Sequence, residues 1–238
     1  MKIPLFTLML SGVLSFHLLA ETCNVSPEQL IAKYQIKQLD KQGQLQSSQL
    51  DLYRYNQAVG HYFPDQTYGD WWSKNQNDQV MLMRYFPRYH KAIEYQAEDL
   101  KDKALNRKSF WQKKQQLISS SLLSKMQVEQ VTGHGCYQVE ILNLREDGKT
   151  YQVRWLPRLR LIERFDVLKG SKVQASWLLK EIVNDKALIN TYVANIHQYQ
   201  TTDYADIGDN EQDPLLSKMI YQGFTIKTDV TSEHEHEH

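Results

Sequence analysis

Residues Tyr137–Ile182 read YQVEILNLREDGKTYQVRWLPRLRLIERFDVLKGSKVQASWLLKEI, and this stretch decides the fold. It holds three alternating runs: Tyr137–Leu144, Thr150–Val167 with a break near Pro157, and Lys172–Ile182. Glu146-Asp147-Gly148-Lys149 and Lys169-Gly170-Ser171 separate them, each placing a glycine where a tight hairpin needs positive φ. Side chains alternate across a strand with period two. Tyr137, Val139 and Ile141 therefore share one side of their run, and Tyr151, Val153 and Trp155 share one side of the next. Leu159, Leu161, Phe165 and Val167 do the same, as do Val173, Ala175, Trp177 and Leu179. The pattern predicts an antiparallel sheet with one apolar face rich in large aromatics, which something must cover.

Outward toward the N-terminus, Ser26-Pro27-Glu28-Gln29 carries the signals of a helix start, with Ser26 as cap and Pro27 at the first helical position. Leu30, Ile31 and Tyr34 then suit one face of a helix running to about Lys41. Two strands are predicted over Gln49–Tyr55 and Ala58–Phe63, with Leu50, Leu52 and Arg54 opposing Asp51, Tyr53 and Tyr55. Trp71 and Trp72 fall in a polar stretch read as a loop. A further pair of strands spans Gln79–Phe86 and Tyr89–Tyr95, with Met81 and Met83 on one side and Val80 and Leu82 on the other. Ser109 opens a helix carrying Phe110, Trp111, Leu117 and Ile118, and Ser119-Ser120-Ser121 interrupts it before a shorter helical piece. Beyond the central stretch, Asn184 caps a helix bearing Leu188, Ile189, Tyr192, Val193 and Ile196. An acidic stretch and a short helix from Asp213-Pro214 follow.

Lysine plus arginine equals aspartate plus glutamate, 28 of each, so no global field favours nucleic acid or an acidic membrane surface. Residues 1–20 read as a secretory signal: Lys2 gives the positive start, Leu5–Leu19 the apolar run and Ala20 a small residue for cleavage. That run is too short to span a bilayer, which takes roughly 20 residues. The expectation is a periplasmic chain that does not span the membrane once the signal is removed. Residues 21–230 form a single domain, and 231–238 a flexible tail. In an oxidising compartment the two cysteines, Cys23 and Cys136, pair with each other.

No Gly-x-Ser-x-Gly elbow, phosphate-binding glycine loop, dinucleotide fingerprint or His-Glu-x-x-His pattern occurs, and the chain reads as non-catalytic. Asp203, Asp206, Asp209, Glu211 and Asp213 crowd one stretch. Yet Pro214 and Ile220 stand where a calcium loop needs its glycine and closing glutamate. The tail alternates Glu233, Glu235 and Glu237 with His234, His236 and His238. Imidazoles on a flexible segment bind zinc, copper or nickel weakly, so these three histidines are the candidate metal ligands, although no cofactor is required.

In element order, the stretches Leu50–Asp65, Val80–Tyr95 and Tyr137–Ile182 resemble the LolA and LolB superfamily of periplasmic lipoprotein carriers. The resemblance implies an α+β fold: a strongly curved antiparallel sheet, a half-barrel, with helices over its concave face. It also implies a cavity for acyl chains. On this reading Trp155, Phe165 and Trp177 line the cavity with Met81 and Met83, and the ligand is a lipid or an acylated protein at the cell envelope. The alternative is a metal-binding or metal-delivery protein that uses the tail. Separately, Gln200–Glu211 followed by Asp213-Pro214 resembles a stretch of uncharacterised secreted proteins of gammaproteobacteria, which implies a Gram-negative periplasm and no known activity.

Overall fold

The computed structural model describes residues 23–100 and 108–210. Six strands come first: β1 (Gln29–Leu39), β2 (Leu45–Tyr55), β3 (Ala58–Phe63), β4 (Tyr68–Lys74), β5 (Val80–Phe86) and β6 (Lys91–Tyr95). Two short helices follow, α1 (Lys108–Gln116) and α2 (Ser120–Lys125). A second run of strands comprises β7 (Gln127–Thr132), β8 (Val139–Glu146), β9 (Lys149–Leu156), β10 (Leu161–Lys169) and β11 (Lys172–Val183). Helix α3 (Lys186–Ile196) and β12 (Gln200–Asp203) end the regular elements.

The hairpins formed where glycine allowed them. Asp147 and Gly148, at φ 51° and 70°, turn β8 into β9, and Gly170 at φ 60° turns β10 into β11. Two other hairpins share one device. Pro64 and Pro87 each open a single 3-10 turn, and Thr67 and His90 close those turns in the left-handed region.

All twelve strands lie in one sheet, in the order β12-β6-β5-β4-β3-β2-β1-β11-β10-β9-β8-β7. Every pair is antiparallel except β12 with β6, which makes the sheet mixed. The long-range seam is β1 against β11, where Tyr34 faces Leu179 and Ile36 faces Trp177. It joins two sequence-local meanders.

Several expectations need correction. The sheet is not a half-barrel with helices over one concave face. It is a single mixed sheet, neither closed nor strongly curled, with β7 and β12 as the end strands among the described residues. Alternation reports which side chains share a face and says nothing of curvature. The expected single apolar face is in fact two, because α3 packs on the side opposite α1 and α2. The helix expected from Ser26 is β1. A central strand is covered on both faces, so Leu30, Ile31 and Ala32 are all buried, and consecutive apolar residues mimic a helical stripe. The tryptophan loop is β4, with Trp71 in one core and Trp72 in the other. Finally β7, exposed almost throughout, is an edge strand that carries no alternating signal.

Candidate functional site

One face of the sheet carries an apolar cluster that runs across strands from both meanders. Register places Ile36, Trp177, Phe165, Val153 and Leu142 side by side on neighbouring strands from β1 to β8. Trp155, Phe165 and Trp177 all belong to this cluster and are all buried. Tyr34 meets Trp177 edge-on at 6.4 Å and donates its hydroxyl hydrogen to the Ile162 carbonyl at 3.0 Å.

Helices α1 and α2 cross this face as a strap, and its fastenings can be followed from end to end. Phe110 packs edge-on against Trp72 at 5.4 Å, and Lys74 lies over the Trp111 ring at 5.6 Å. The last carbonyls of a helix have no intrahelical donor. Here the sheet supplies donors: His61 Nε2 lies 2.8 Å from the Lys114 oxygen, and Arg54 Nε donates to Gln115 at 2.9 Å. Helix α1 stops at Leu117, held in the left-handed region at φ 61°. The Ser119 hydroxyl then caps α2 by accepting the Leu122 N–H at 3.1 Å. At the far end Lys125 pairs with Glu146 of β8 at 3.2 Å. Ile118, Leu122 and Met126 of the strap are buried in the same cluster.

Arg54 is the hub. Its side chain is buried and donates to four backbone carbonyls, adding Pro27 at 3.1 Å, Leu159 at 2.6 Å and Arg160 to Gln115. One guanidinium thus joins the N-terminal segment, the strap and the β9–β10 turn. Burial pulls it down to about 10, which leaves it charged at neutral pH. Arg160 in turn pairs with Glu28. Cys23 and Cys136 close a disulfide across a separation of 113 residues, with their Cα atoms 4.8 Å apart.

A second polar group sits beside the strap. Asp70 takes a two-pronged bond from Arg84 at 2.7 and 2.9 Å, and His61 is the cross-strand neighbour of Asp70. Burial pushes the His61 imidazole down to about 4, and the Lys114 ammonium acts in the same direction. Burial also pulls the Arg84 guanidinium down, but the bonds and charge of Asp70 outweigh it and leave Arg84 above its ordinary value.

Met81 and Met83 do not join Trp155, Phe165 and Trp177. Met83 is buried on the opposite face with Tyr53, Trp71 and Tyr85 beneath α3, and Met81 is two residues away on the same side. On that face the Tyr85 and Tyr192 hydroxyls share a 2.8 Å hydrogen bond, and Tyr53 stacks on Tyr192 at 4.2 Å. His234, His236 and His238 lie outside the described residues, as do Glu211 and Asp213. Among the described residues no group of three or more histidine, cysteine or acidic side chains is placed to hold a metal ion. No helix among them is long and apolar enough to cross a membrane.

Two surface depressions lie elsewhere. One of about 480 Å³ is lined by Lys33, Gln35, Gln49, Asp51 and Glu181, among others; the second, of about 540 Å³, flanks the disulfide at Asn24, His134 and Tyr137. Neither includes Trp155, Phe165 or Trp177. Sequence reading missed Arg54, His61 and the Asp70–Arg84 pair. The one available signal was Arg54 sharing a strand side with Leu50 and Leu52, which marks a charge aimed into an apolar face.

Fold and site together define a disulfide-linked α+β protein of one open mixed sheet, strapped on one face by two short helices. No family model matches the chain, and no curated protein does. Among solved structures it is similar to PNGF-II in two crystal forms. One is 10% identical over 76% of this chain, with a TM-score of 0.36, and the other is 11% identical over 81%, with a TM-score of 0.40. The chain spans 32% of PNGF-II in both. A DUF1329 family protein from Desulfovibrio piger is 9% identical, with 69% of this chain and 89% of that one covered and a TM-score of 0.29. At such scores nothing of those proteins carries over, and the comparisons do not place the chain among the lipoprotein carriers.

Proposed function

We propose that this is a non-catalytic periplasmic binding protein that takes an apolar ligand, a lipid or the acyl part of a protein, between the sheet and the α1–α2 strap. The observation that carries the reading is the convergence of Trp155, Phe165 and Trp177 on one apolar face crossed by a strap of separable parts. Helices of 9 and 6 residues do not hold their shape alone, so their place depends on the sheet. Polar fastenings lie along the strap at Lys114, Gln115 and Lys125. An acyl chain sliding beneath gains about 0.8 kcal/mol for each methylene taken out of water, which acts against the loss of the strap contacts it displaces.

The test is native mass spectrometry of protein purified from the periplasm, with lipid extraction and rebinding of a fluorescent acyl probe. The expected result is a co-purifying lipid, and a probe whose affinity falls at least tenfold on Trp155→Ala. Protein that carries no lipid and binds no probe in either form would end the carrier reading.

A further inference from the structure

The apolar face contains a polar atom that its own chain leaves unanswered. Trp177 is 9% exposed, and its indole Nε1 is buried with no acceptor among the described residues. An orphaned buried donor costs about 1–3 kcal/mol, and buried indoles ordinarily find a partner. Phenylalanine would fill much of the same apolar space without that penalty. The surroundings offer nothing: the cross-strand neighbours are Ile36 and Phe165, and Ala175 flanks it in its own strand. Tyr34 meets the Trp177 ring edge-on at 6.4 Å, but its hydroxyl oxygen is not an acceptor for the indole N–H.

Two other orphans share the face, Trp72 Nε1 and the Tyr68 hydroxyl. Both differ in setting. The Lys114 ammonium lies 4.5 Å from the Trp72 ring centre, and the Arg84 guanidinium 5.5 Å from that of Tyr68. Trp177 instead has two apolar cross-strand neighbours, Ile36 and Phe165.

Resting on the carrier reading above, we infer that Trp177 receives the polar head of the ligand: its Nε1–H donates to a carbonyl oxygen at the end of an acyl chain. The ligand is then an acyl ester or acyl amide rather than a bare hydrocarbon. The rings of Trp155 and Phe165 take the chain, and the indole N–H fixes which end lies over β11. A neutral carbonyl suits the site, because the cross-strand neighbours of Trp177, Ile36 and Phe165, carry no charge to receive a carboxylate.

Three probes of matched chain length, each competed against one fluorescent acyl probe, test the inference: octadecane, methyl hexadecanoate and an N-hexadecanoylated peptide. Wild-type protein is expected to prefer a carbonyl-bearing probe over octadecane by roughly tenfold, the worth of one buried hydrogen bond. The tighter of the two carbonyl probes identifies lipid ester or acylated protein as the source. Trp177→Phe is expected to reduce the ratio of carbonyl-probe to octadecane affinity to twofold or less, whatever it does to octadecane binding itself. Equal binding of all three probes by wild type, or a preference that survives Trp177→Phe, overturns the assignment and leaves the carrier reading standing. Failure of every probe overturns the carrier reading itself. Should the variant not fold, the wild-type indole N–H resonances decide. Among the five tryptophans, one signal moves downfield with methyl hexadecanoate and stays in place with octadecane; no such movement refutes the hydrogen bond.

Discussion

Acidification should loosen the strap through His61, and the size of the effect follows from its environment. The imidazole is buried between the Lys114 carbonyl and the Asp70–Arg84 pair, and burial holds it down at about 4 against an ordinary 6.5. The unfolded chain takes up the proton near 6.5 and the folded one only near 4, so protons favour the unfolded state in between. The contribution of His61 is complete above pH 6.5, declines as pH falls from 6.5 to 4, and is flat below. Two and a half pKa units correspond to a loss of about 3 kcal/mol over that window. Urea unfolding of wild type and His61→Gln at pH 7, 5.5 and 4 isolates it, because glutamine keeps an N–H donor and does not titrate, and all other groups cancel in the difference. The variant's deficit at pH 7 should shrink by about 3 kcal/mol at pH 4. Parallel pH profiles would refute the reasoning, since they would mean that the folded protein accommodates the imidazolium.

Other outcomes follow from single contacts. Arg54→Met leaves one buried and three half-buried carbonyls short of a donor, though methionine avoids the cost of burying a guanidinium. A net loss of about 3–5 kcal/mol is expected in urea unfolding, with proteolysis between α1 and α2 accelerating in step. A Cβ on Gly69 would come within 2.2 Å of the Tyr85 ring, which is itself fully buried, so Gly69→Ala should lower stability by about 1–3 kcal/mol. The double change Cys23→Ser and Cys136→Ser frees a loop of more than a hundred residues and should lower the urea midpoint by the equivalent of about 4 kcal/mol. The full chain is expected to bind nickel or zinc weakly in titration calorimetry, and deleting residues 233–238 should abolish that binding; binding unchanged by the deletion would place the metal elsewhere.

What the sequence made legible was local. The hairpins at Gly148 and Gly170 follow from residue type, because few other residues accept positive φ. The shared side of Trp155, Phe165 and Trp177 follows from alternation over short distances. The strand breaks at Pro64 and Pro87 follow from the missing N–H. Reading failed where a second layer changes the meaning of a pattern. Leu30-Ile31-Ala32 looks helical because β1 is covered on both sides, and Met81 and Met83 looked like companions of Trp177 because nothing local says which layer faces α3. The buried polar groups were hidden for a different reason. Asp70 and Arg84 become a pair only once β4 and β5 take their register, and Arg54 gains its four carbonyls from segments up to 106 residues away.

That distribution of contacts bears on how such a face could open. The apolar sheet surface is built by neighbours in register and belongs to the stable part of the molecule. The strap is held mainly by its apolar contacts and by sheet side chains reaching the carbonyls at the end of α1. Two of those fastenings, Arg54 and His61, are single side chains from adjacent strands β2 and β3, so a ligand that displaces α1 breaks both in one movement while the strands beneath keep their ladders. Local opening of this kind draws on the weakly held elements of a fold. Hydrogen exchange should therefore separate the two: amides of α1 and α2 exchanging well before those of β1, β10 and β11, and slowing when an acyl ligand is added. Exchange of strap and sheet at one common rate would mean that the strap is an integral part of the core, and that no ligand enters beneath it without unfolding the protein.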